Sequence, residues 1–244
     1  MEPRDRINQL LLNHSPKPFF GSKRTDLSSL RSLFKALAPI TTEHPLIRIG
    51  PAGDGGYLIP DDLVGVGTCF SPGVNTESRF ELQCAQSGMN VFMADASVHG
   101  PPDTHPNFHF IKKFVGNYTH DEFVSMADWE QQSQPDPDRD WIMQMDIEGG
   151  EYEFLLGMSE ASLRRNRILV IEFHNLDYLY DEVFFALANT CFRKILKSHT
   201  CIHIHPNNCS SAIRCQDIEI PKIMEFTFYR NDRFTQSQIG RAHV

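Results

Sequence analysis

The chain has no hydrophobic run long enough to cross a bilayer and no visible secretory signal. A membrane-spanning helix needs about 20 consecutive apolar residues, and no segment here approaches that length. Residues 1–14, MEPRDRINQLLLNH, are charged and contain only three consecutive leucines, so a signal peptide is not expected. The six cysteines include no C-x-x-C pair. A reducing compartment is then the default, and a cytoplasmic location is expected.

The chain also lacks an excess of basic residues. Its 23 Lys and Arg residues face 31 Asp and Glu residues, which gives a net charge of −8. A surface that binds nucleic acid must neutralise phosphates, so a nucleic-acid partner is not expected. The 244 residues, 41% of them hydrophobic, suffice for one large domain with a complete core.

Three segments are expected along the chain. Residues 1–44 are predicted to cap the main domain, because residues 26–37 place their leucines and a phenylalanine on one helical face. The main domain is predicted to span residues 45–232. Residues 233–244 form a tail whose end, IGRAHV at 239–244, matches the translation of a common sequencing-adapter read. The tail is therefore expected to be an artefact, a hypothesis that an independent transcript would test.

Strand and helix patterns alternate through the main domain. This alternation predicts an α/β fold with a seven-stranded, mostly parallel sheet and helices on both faces. A loop without helical pattern separates the final two strands, so the last strand is predicted to be antiparallel. A Thr-x-x-Glu capping box at Thr119 and Glu122 predicts the start of one helix. The predicted strands are 64–74, 90–97, 108–116, 141–147, 167–173, 193–205 and 223–232, and the predicted helices are 76–88, 119–132, 149–165 and 178–191.

Polar or glycine-containing segments follow five of these strands, at the point where each strand ends. In open parallel sheets, ligands bind outside the carboxyl ends of the strands. The five segments are therefore expected to converge on one site. They are Ser71-Pro72-Gly73, Asp95, Asp146-Ile147-Glu148, Glu172-Phe173-His174 and His205-Pro206-Asn207-Asn208.

The first two strand ends have the spacing of a nucleoside site. Asp95 lies 22 positions after Gly73, and an acid about 20 residues beyond a glycine turn is placed to accept hydrogen bonds from ribose hydroxyls. The alternative is that Asp95 only caps a helix. The loop holds a single glycine, so the G-x-G-x-x-G fingerprint is absent, which disfavours NAD or FAD. A second turn, Asp54-Gly55-Gly56, offers backbone amides to a ligand or is a plain turn.

Histidines and acids near the strand ends supply candidate chemistry. Cys201, His203 and His205 alternate along one strand and are predicted to share a face. A zinc site there lacks further ligands at loop spacing. A histidine is the more attractive general base, although a structural role is the commoner one for a lone histidine. His174 is expected to share a face with Glu172.

Four acids are packed into MQMDIEGGEYEFL, residues 143–155. Glu151 and Glu153 are expected in the first turn of a helix, where the exposed amides and the helix dipole favour carboxylates. Asp146 and Glu148 lie at the strand end instead, and are expected to form the floor of an active site. Together with Glu172 they are candidates to hold a divalent metal, because clustered carboxylates otherwise repel one another.

Several of these segments, in this order, resemble the FkbM-type methyltransferase family. The resemblance covers about residues 46–232, and its most specific element is the D-x-E-G-x-E pattern of Asp146, Glu148, Gly149 and Glu151. The segments that carry it are DGGYLIPDD, CFSPGVNTESRFE, FMADAS, QMDIEGGEYEFL, IEFHNLD and HIHPNN.

The resemblance implies a Rossmann-like class I methyltransferase fold that binds S-adenosylmethionine. By position, the Ser71–Val74 loop would hold the methionine end of the cofactor, and Asp95 with Ala96 would bind the ribose. The Asp54-Gly55-Gly56 turn would contribute amides, and Asp146 with Glu148 would line the active centre. The candidate bases are Glu172, His174 and His205.

Three functions remain open at this point. The first is O-methylation of a hydroxyl on a sugar or other small metabolite. The second is a metal-dependent hydrolase that uses the same carboxylates and histidines. The third is a catalytically silent binding module that keeps the fold.

Overall fold

The computed structural model describes residues 22–207 and 211–235. The adapter-like end of the tail, residues 239–244, lies outside them.

The strands of the described part are β1 Leu46–Ile49, β2 Tyr57–Pro60, β3 Val66–Pro72, β4 Asn90–Ala94, β5 Phe108–Ile111, β6 Phe114–Gly116, β7 Phe123–Ser125, β8 Asp140–Met145, β9 Asn166–Phe173, β10 His199–Pro206, β11 Ala212–Cys215, β12 Ile218–Pro221 and β13 Met224–Arg230. The helices are α1 Leu27–Leu37, α2 Arg79–Gln86, α3 Met126–Ser133, α4 Glu151–Gly157, α5 Glu160–Arg165 and α6 Glu182–Leu196, with 3-10 turns at Leu176–Tyr180 and Asn231–Arg233.

Seven strands form the central sheet, in the order β5-β4-β3-β8-β9-β13-β10. The neighbours from β5 to β9 are all parallel. Strand β13 runs antiparallel to both β9 and β10. The expected mostly parallel sheet with an antiparallel last strand is confirmed. Chain order reverses direction between β3 and β8, which makes that position the topological switch point of the sheet.

The two faces of the sheet are covered differently. One face, called here the helical face, packs against α1, α3, α4, α5 and α6, with Trp129 and Phe192 among the buried side chains. The other, called the hairpin face, packs against α2 and the β1–β2 hairpin, with Tyr57 and Phe80 in its core. Successive residues of β9 alternate between the two cores, as period-two side chains must.

The helix predicted over 119–132 begins later, at Met126. Ser125 is the N-cap and accepts a hydrogen bond from the amide of Asp128, so the predicted Thr119-x-x-Glu122 capping box is wrong. Residues 123–125 instead form β7, which pairs with β6, and Val124 is fully buried there. Pairing of the two short strands therefore prevails over the local capping pattern.

Strand β10 contains a β-bulge between Cys201 and His203. Cys201 packs into the core of the helical face, whereas His203 and His205 line a cavity beside the hairpin. The prediction that all three share one face is wrong, because a bulge breaks the period-two alternation.

Candidate active site

Gly73 turns the chain at the end of β3 and brings two loops into close contact. Its φ is +88°, and its amide donates to the carbonyl of Ala94 at 3.0 Å. A Cβ at this position would overlap the carbonyl oxygen of Asp146. Only glycine therefore lets the loop after β3 pass the loop after β8 at this distance.

Asp95 follows β4 and organises the loops around it. Its Oδ2 accepts from the amide of Asn75 at 2.9 Å, and its Oδ1 accepts from the amide of Ser97 at 2.8 Å and from the hydroxyl of Ser97 at 2.6 Å. Only 5% of the residue is exposed. The predicted helix-cap alternative is wrong, because no helix begins in the described residues between β4 and β5. Both loops that Asp95 fixes border a cavity.

That cavity, of about 410 Å³, lies at the topological switch point of the sheet. Its volume is typical of small-ligand sites. Polar groups from the loops after β3, β4 and β8 meet an apolar wall formed largely by β6 and β7. It is lined by Gly73, Asn75, Ala94, Asp95, Ser97, Phe114, Val115, Phe123, Asp146, Ile147, Glu148 and Gly150.

A smaller cavity of about 90 Å³ adjoins it and shares Gly73, Asn75 and Asp146. Asp54 and Gly55 of the predicted second turn border this smaller cavity, while Gly56 borders a third cavity described below. Ser71 and Pro72 lie in the buried strand behind the loop, and Ala96 is half-buried next to Asp95.

A buried polar chain runs beneath the smaller cavity. The Ser71 hydroxyl donates to Glu81 Oε1 at 2.5 Å and lies 3.0 Å from Gln144 Oε1. The Gln144 amide nitrogen donates to the Tyr57 hydroxyl at 3.1 Å. Burial raises the pKa of Glu81 to about 7. Sequence reasoning missed Glu81 because nothing local marks a helix acid that points into a core.

Four carboxylates surround His174 at the ends of β8 and β9. Its Nδ1 lies 3.1 Å from Glu151 Oε1. Its Nε2 lies 3.4 Å from Glu148, 3.7 Å from Glu172 and 3.8 Å from Asp146. The predicted active-centre residues Asp146, Glu148, Glu172 and His174 thus come together, while His205 lies apart, opposite Glu225 in the antiparallel pair β10–β13.

Three members of the cluster, His174, Asp146 and Glu172, have raised pKa values. Burial lowers the pKa of His174, but its hydrogen bond to Glu151 and the charges of the acids outweigh burial and raise the pKa to about 9. Burial and the charge of Glu172 raise the pKa of Asp146 to about 7. Burial also raises the pKa of Glu172. At neutral pH His174 is therefore protonated and Asp146 is poised to exchange a proton.

Glu151 holds this region together, a role that its sequence position did not reveal. It begins α4, as predicted, yet it is fully buried, unlike the exposed Glu153. Its Oε1 accepts from the amides of Ile147 at 3.3 Å and Gly149 at 3.0 Å. The loop that it braces has positive φ at both Glu148, +54°, and Gly149, +106°.

The same cluster has the donors for a metal ion. Among the described residues, the ligand atoms of Asp146, Glu148 and His174 all lie within 4.8 Å of one another. Asp146 Oδ1 is buried and has no hydrogen-bond partner in residues 22–207 and 211–235. The sequence-based set named Glu172, whereas the structure groups His174 with Asp146 and Glu148. Glu172 Oε1 lies 3.7 Å from the same imidazole nitrogen.

A mostly parallel sheet whose chain order reverses between β3 and β8, with helices packed on it, defines a Rossmann-like α/β protein. Residues 69–194 match the model of the methyltransferase FkbM domain. The chain belongs to this methyltransferase family.

Solved structures show distant similarity. A protein described as a DNA modification methyltransferase from an E. coli prophage has 10% identity and a TM-score of 0.42, over 68% of this chain and 47% of its own. This chain thus spans about half the length of that structure. A protein described as an RNA methyltransferase from Pyrococcus horikoshii has 10% identity and a TM-score of 0.35, over 94% and 99%.

A third solved structure is the 1,6-didemethyltoxoflavin-N1-methyltransferase of Burkholderia thailandensis, with S-adenosylhomocysteine bound. It has 11% identity and a TM-score of 0.32, over 69% of this chain and 72% of its own. No curated protein sequence matches at a significant level. In the described part of the chain, no helix has the length and apolarity to span a bilayer. The expectation that nucleic acid is not a partner stays a prediction.

Proposed function

We propose that this methyltransferase uses S-adenosylmethionine to methylate a hydroxyl oxygen of a small molecule, such as a sugar or another metabolite. The observation that carries the proposal is the cavity at the switch point, bounded by the Gly73 turn, Asp95 and Asp146. Its volume, its acid at the end of β4 and its apolar wall suit a nucleoside. The net charge of −8 favours a small acceptor over nucleic acid.

The residues present fit the two ends of the cofactor. In the larger cavity, Asp95 would receive the ribose hydroxyls, and Phe114 and Phe123 would pack on the adenine. In the smaller cavity, Asp54 and Glu81 would face the ammonium group of the methionine end. The Ser71–Val74 loop has no acid of its own, and Glu81 would supply one from α2 through its contact with Ser71.

The reaction is an in-line displacement at the methyl carbon. The acceptor oxygen forms the new C–O bond, the C–S bond breaks, and its electron pair returns to sulfur. The hydroxyl proton goes to a base, and we propose Asp146, which borders both cavities and has a pKa of about 7. A pKa near the working pH suits a general base. The raised pKa of His174 makes it the cationic partner of the acids.

A divalent cation is a further candidate at the same cluster. Asp146, Glu148 and His174 would hold it through two carboxylate oxygens and one imidazole nitrogen, with His174 giving up its proton to the solvent, a donor set that first-row metals accept. Such an ion would polarise the acceptor hydroxyl. A thermal shift on adding Mg²⁺, Mn²⁺ or Zn²⁺ that Glu148→Gln removes would support the site.

Calorimetry with S-adenosylhomocysteine tests the cofactor assignment. The wild-type chain is expected to bind it, and Asp95→Ala is expected to lose roughly 10- to 100-fold in affinity, the scale for hydrogen bonds to a charged group. Asp121→Ala is the matched control, because that side chain is 93% exposed. Equal affinity of Asp95→Ala and the control would remove Asp95 from the site.

Calorimetry and a hydrolysis assay together separate the other two functions. A wild-type chain that does not bind S-adenosylhomocysteine would favour the silent binding module. Metal-dependent hydrolysis without any cofactor would favour the hydrolase, which the Asp146, Glu148 and His174 group motivates.

A further inference from the structure

A third cavity, of about 530 Å³, lies between the β1–β2 hairpin and the edge strands β10 and β13. It is larger than the cavity at the switch point and open to solvent at the exposed residues Arg48 and His205. It is lined by Arg48, Ala52, Gly53, Asp54, Gly56, Leu58, His203, His205, Asn207 and Glu225. Its volume lies within the range of small-molecule sites.

Residues that line this cavity connect it to the small cavity and to one acid of the His174 cluster. Asp54 lines both this cavity and the small one that also contains Asp146. The amide nitrogen of Asn207 donates to Glu172 Oε1 at 3.3 Å. Glu172, Glu225 and His205 are cross-strand partners in one row across β9, β13 and β10. The lining of this cavity is therefore joined to Glu172, at the end of β9, by one hydrogen bond and by strand pairing.

The lining carries polar groups of both signs. Arg48 is a donor, Asp54 and Glu225 are acceptors, and His203 and Asn207 can serve as either. Burial and the charges of Glu172 and Asp54 raise the pKa of Glu225 to about 7, although Arg48 opposes this. Burial and the charges of His205 and Arg48 lower the pKa of His203, which keeps it neutral.

The charges nearly cancel. One arginine faces two carboxylates, and burial raises the pKa of one of them, Glu225, to about 7. An anionic ligand would meet these acids, and a cationic ligand would meet the guanidinium of Arg48. Among the lining residues there is no Phe, Tyr or Trp, so the cavity lacks a large apolar ring surface. Convergent donors and acceptors without net charge suit neighbouring hydroxyl groups.

Arg48 also fixes the shape of the cavity. Its Nη1 donates to the carbonyl of Gly56 at 2.6 Å and to the carbonyl of Pro51 at 3.4 Å. These bonds hold the turn that carries Asp54 against the hairpin, so the wall shared with the small cavity is kept in place.

We propose that this third cavity binds the methyl acceptor, and that the acceptor is an uncharged molecule with several neighbouring hydroxyl groups, as in a glycoside. The assignment rests on the proposed function and adds where the acceptor lies and what chemistry it has.

Saturation-transfer NMR on the full chain saturated with S-adenosylhomocysteine tests the proposal. The probes are methyl α-glucopyranoside, methyl α-mannopyranoside and methyl α-galactopyranoside, with glucosamine and glucuronate as charged counterparts. At least one neutral glycoside is expected to bind, and Glu225→Gln and His203→Ala are each expected to weaken it about tenfold, the scale of one lost hydrogen bond to a charged group. His109→Ala on β5, at the opposite edge of the sheet, is the control.

Calorimetry on the same variants distinguishes the failure of this proposal from that of the proposed function. Unchanged S-adenosylhomocysteine affinity together with lost glycoside binding supports the acceptor cavity. Cofactor binding with no neutral glycoside bound, preference for glucosamine or glucuronate, or glycoside binding that survives both substitutions overturns it. Failure of the wild type to bind S-adenosylhomocysteine overturns the proposed function itself.

Discussion

At the amino end of the sheet, acids are matched by arginines, whereas at the carboxyl end acids gather around one histidine. Asp62 and Asp140 both contact Arg167, at 3.1 Å and 2.8 Å, and Arg167 is only 4% exposed. Arg230 and Arg233 complete the pairing, at 2.8 Å from Asp140 and 2.9 Å from Asp62.

The pKa values at the two ends move in opposite directions. Burial alone would raise the pKa of Asp62 and Asp140, but their arginine partners outweigh it and lower both. At the other end burial prevails and raises the pKa of Asp146, Glu172 and Glu225. Acids that contribute stability are neutralised by permanent partners. Acids left without such partners are suited to a cation, a proton or a ligand that arrives later.

Among the substitutions considered, the largest loss of stability is expected at the amino end of the sheet. Arg167→Met removes the buried arginine that Asp62 and Asp140 share. It is expected to lower the free energy of unfolding by about 3 kcal/mol, the lower end of the range for a broken buried pair, because Arg233 and Arg230 still contact the two acids. Urea unfolding measures this, with Arg214→Met as a control whose ion pair with Glu219 is exposed. A loss below about 1 kcal/mol, the scale of a surface pair, would contradict the structural role of the network.

At the carboxyl end of the sheet, removing a charge is expected to leave stability unchanged and to abolish activity. Asp146→Asn relieves repulsion among the acids, so the variant should stay folded, while turnover falls about 100-fold or more because the proposed base is gone. Turnover is measured as S-adenosylhomocysteine released with a small-molecule extract as acceptor source. Normal turnover in this variant would refute the assignment of the active centre.

Glu81, a buried acid without an arginine partner among the described residues, is expected to make the free energy of unfolding depend on pH. Its folded pKa of about 7 exceeds its ordinary value of 4.5, so its contribution to stability is fully present below pH 4.5 and is lost as pH rises through 7. Relative to wild type, Glu81→Gln should gain up to roughly 3 kcal/mol between pH 4.5 and 8. Urea unfolding across this pH range measures the gain. If the free energies of unfolding of the wild type and Glu81→Gln changed with pH in the same way, the raised pKa of Glu81 would be contradicted.

The smallest effect on stability and cofactor affinity is expected for a surface ion pair far from both ends of the sheet. Glu160 pairs with Lys197 at 2.5 Å, but both side chains are more than half exposed. Glu160→Gln should leave the midpoint of thermal unfolding and the affinity for S-adenosylhomocysteine unchanged. A measurable loss of either would show that charge pairing outside the two sheet ends also matters.

The sequence predicted the sheet and the residues at its carboxyl edge because both depend on local patterns. Buried strands ending in Gly73, Asp95 or Asp146 are visible as apolar runs that stop at polar residues. Side-chain partners across the fold are not visible in this way. The contact of Glu81 with Ser71 spans ten residues of chain, and that of Glu151 with His174 spans 23.

Backbone irregularities are the second kind of feature that could not be predicted from the sequence. The bulge at Cys201 and His203 changes which face the following side chains occupy, and no residue type in β10 announces it. The helix predicted from Thr119 failed for a related reason, because pairing of β7 with β6 is a tertiary interaction. Both errors displaced predicted neighbours but left the seven strands of the central sheet in their predicted order along the chain.

The β1–β2 hairpin contributes Arg48, Asp54 and Tyr57 to two of the three cavities through itself or its connecting turn. A two-stranded hairpin is at best marginally stable by itself, so it can open locally while β8 and β9 stay closed. Amide hydrogen exchange should then be faster in residues 46–60 than in 140–145. Occupation of either cavity should slow exchange in the hairpin first, which makes its amides an internal reporter of ligand binding.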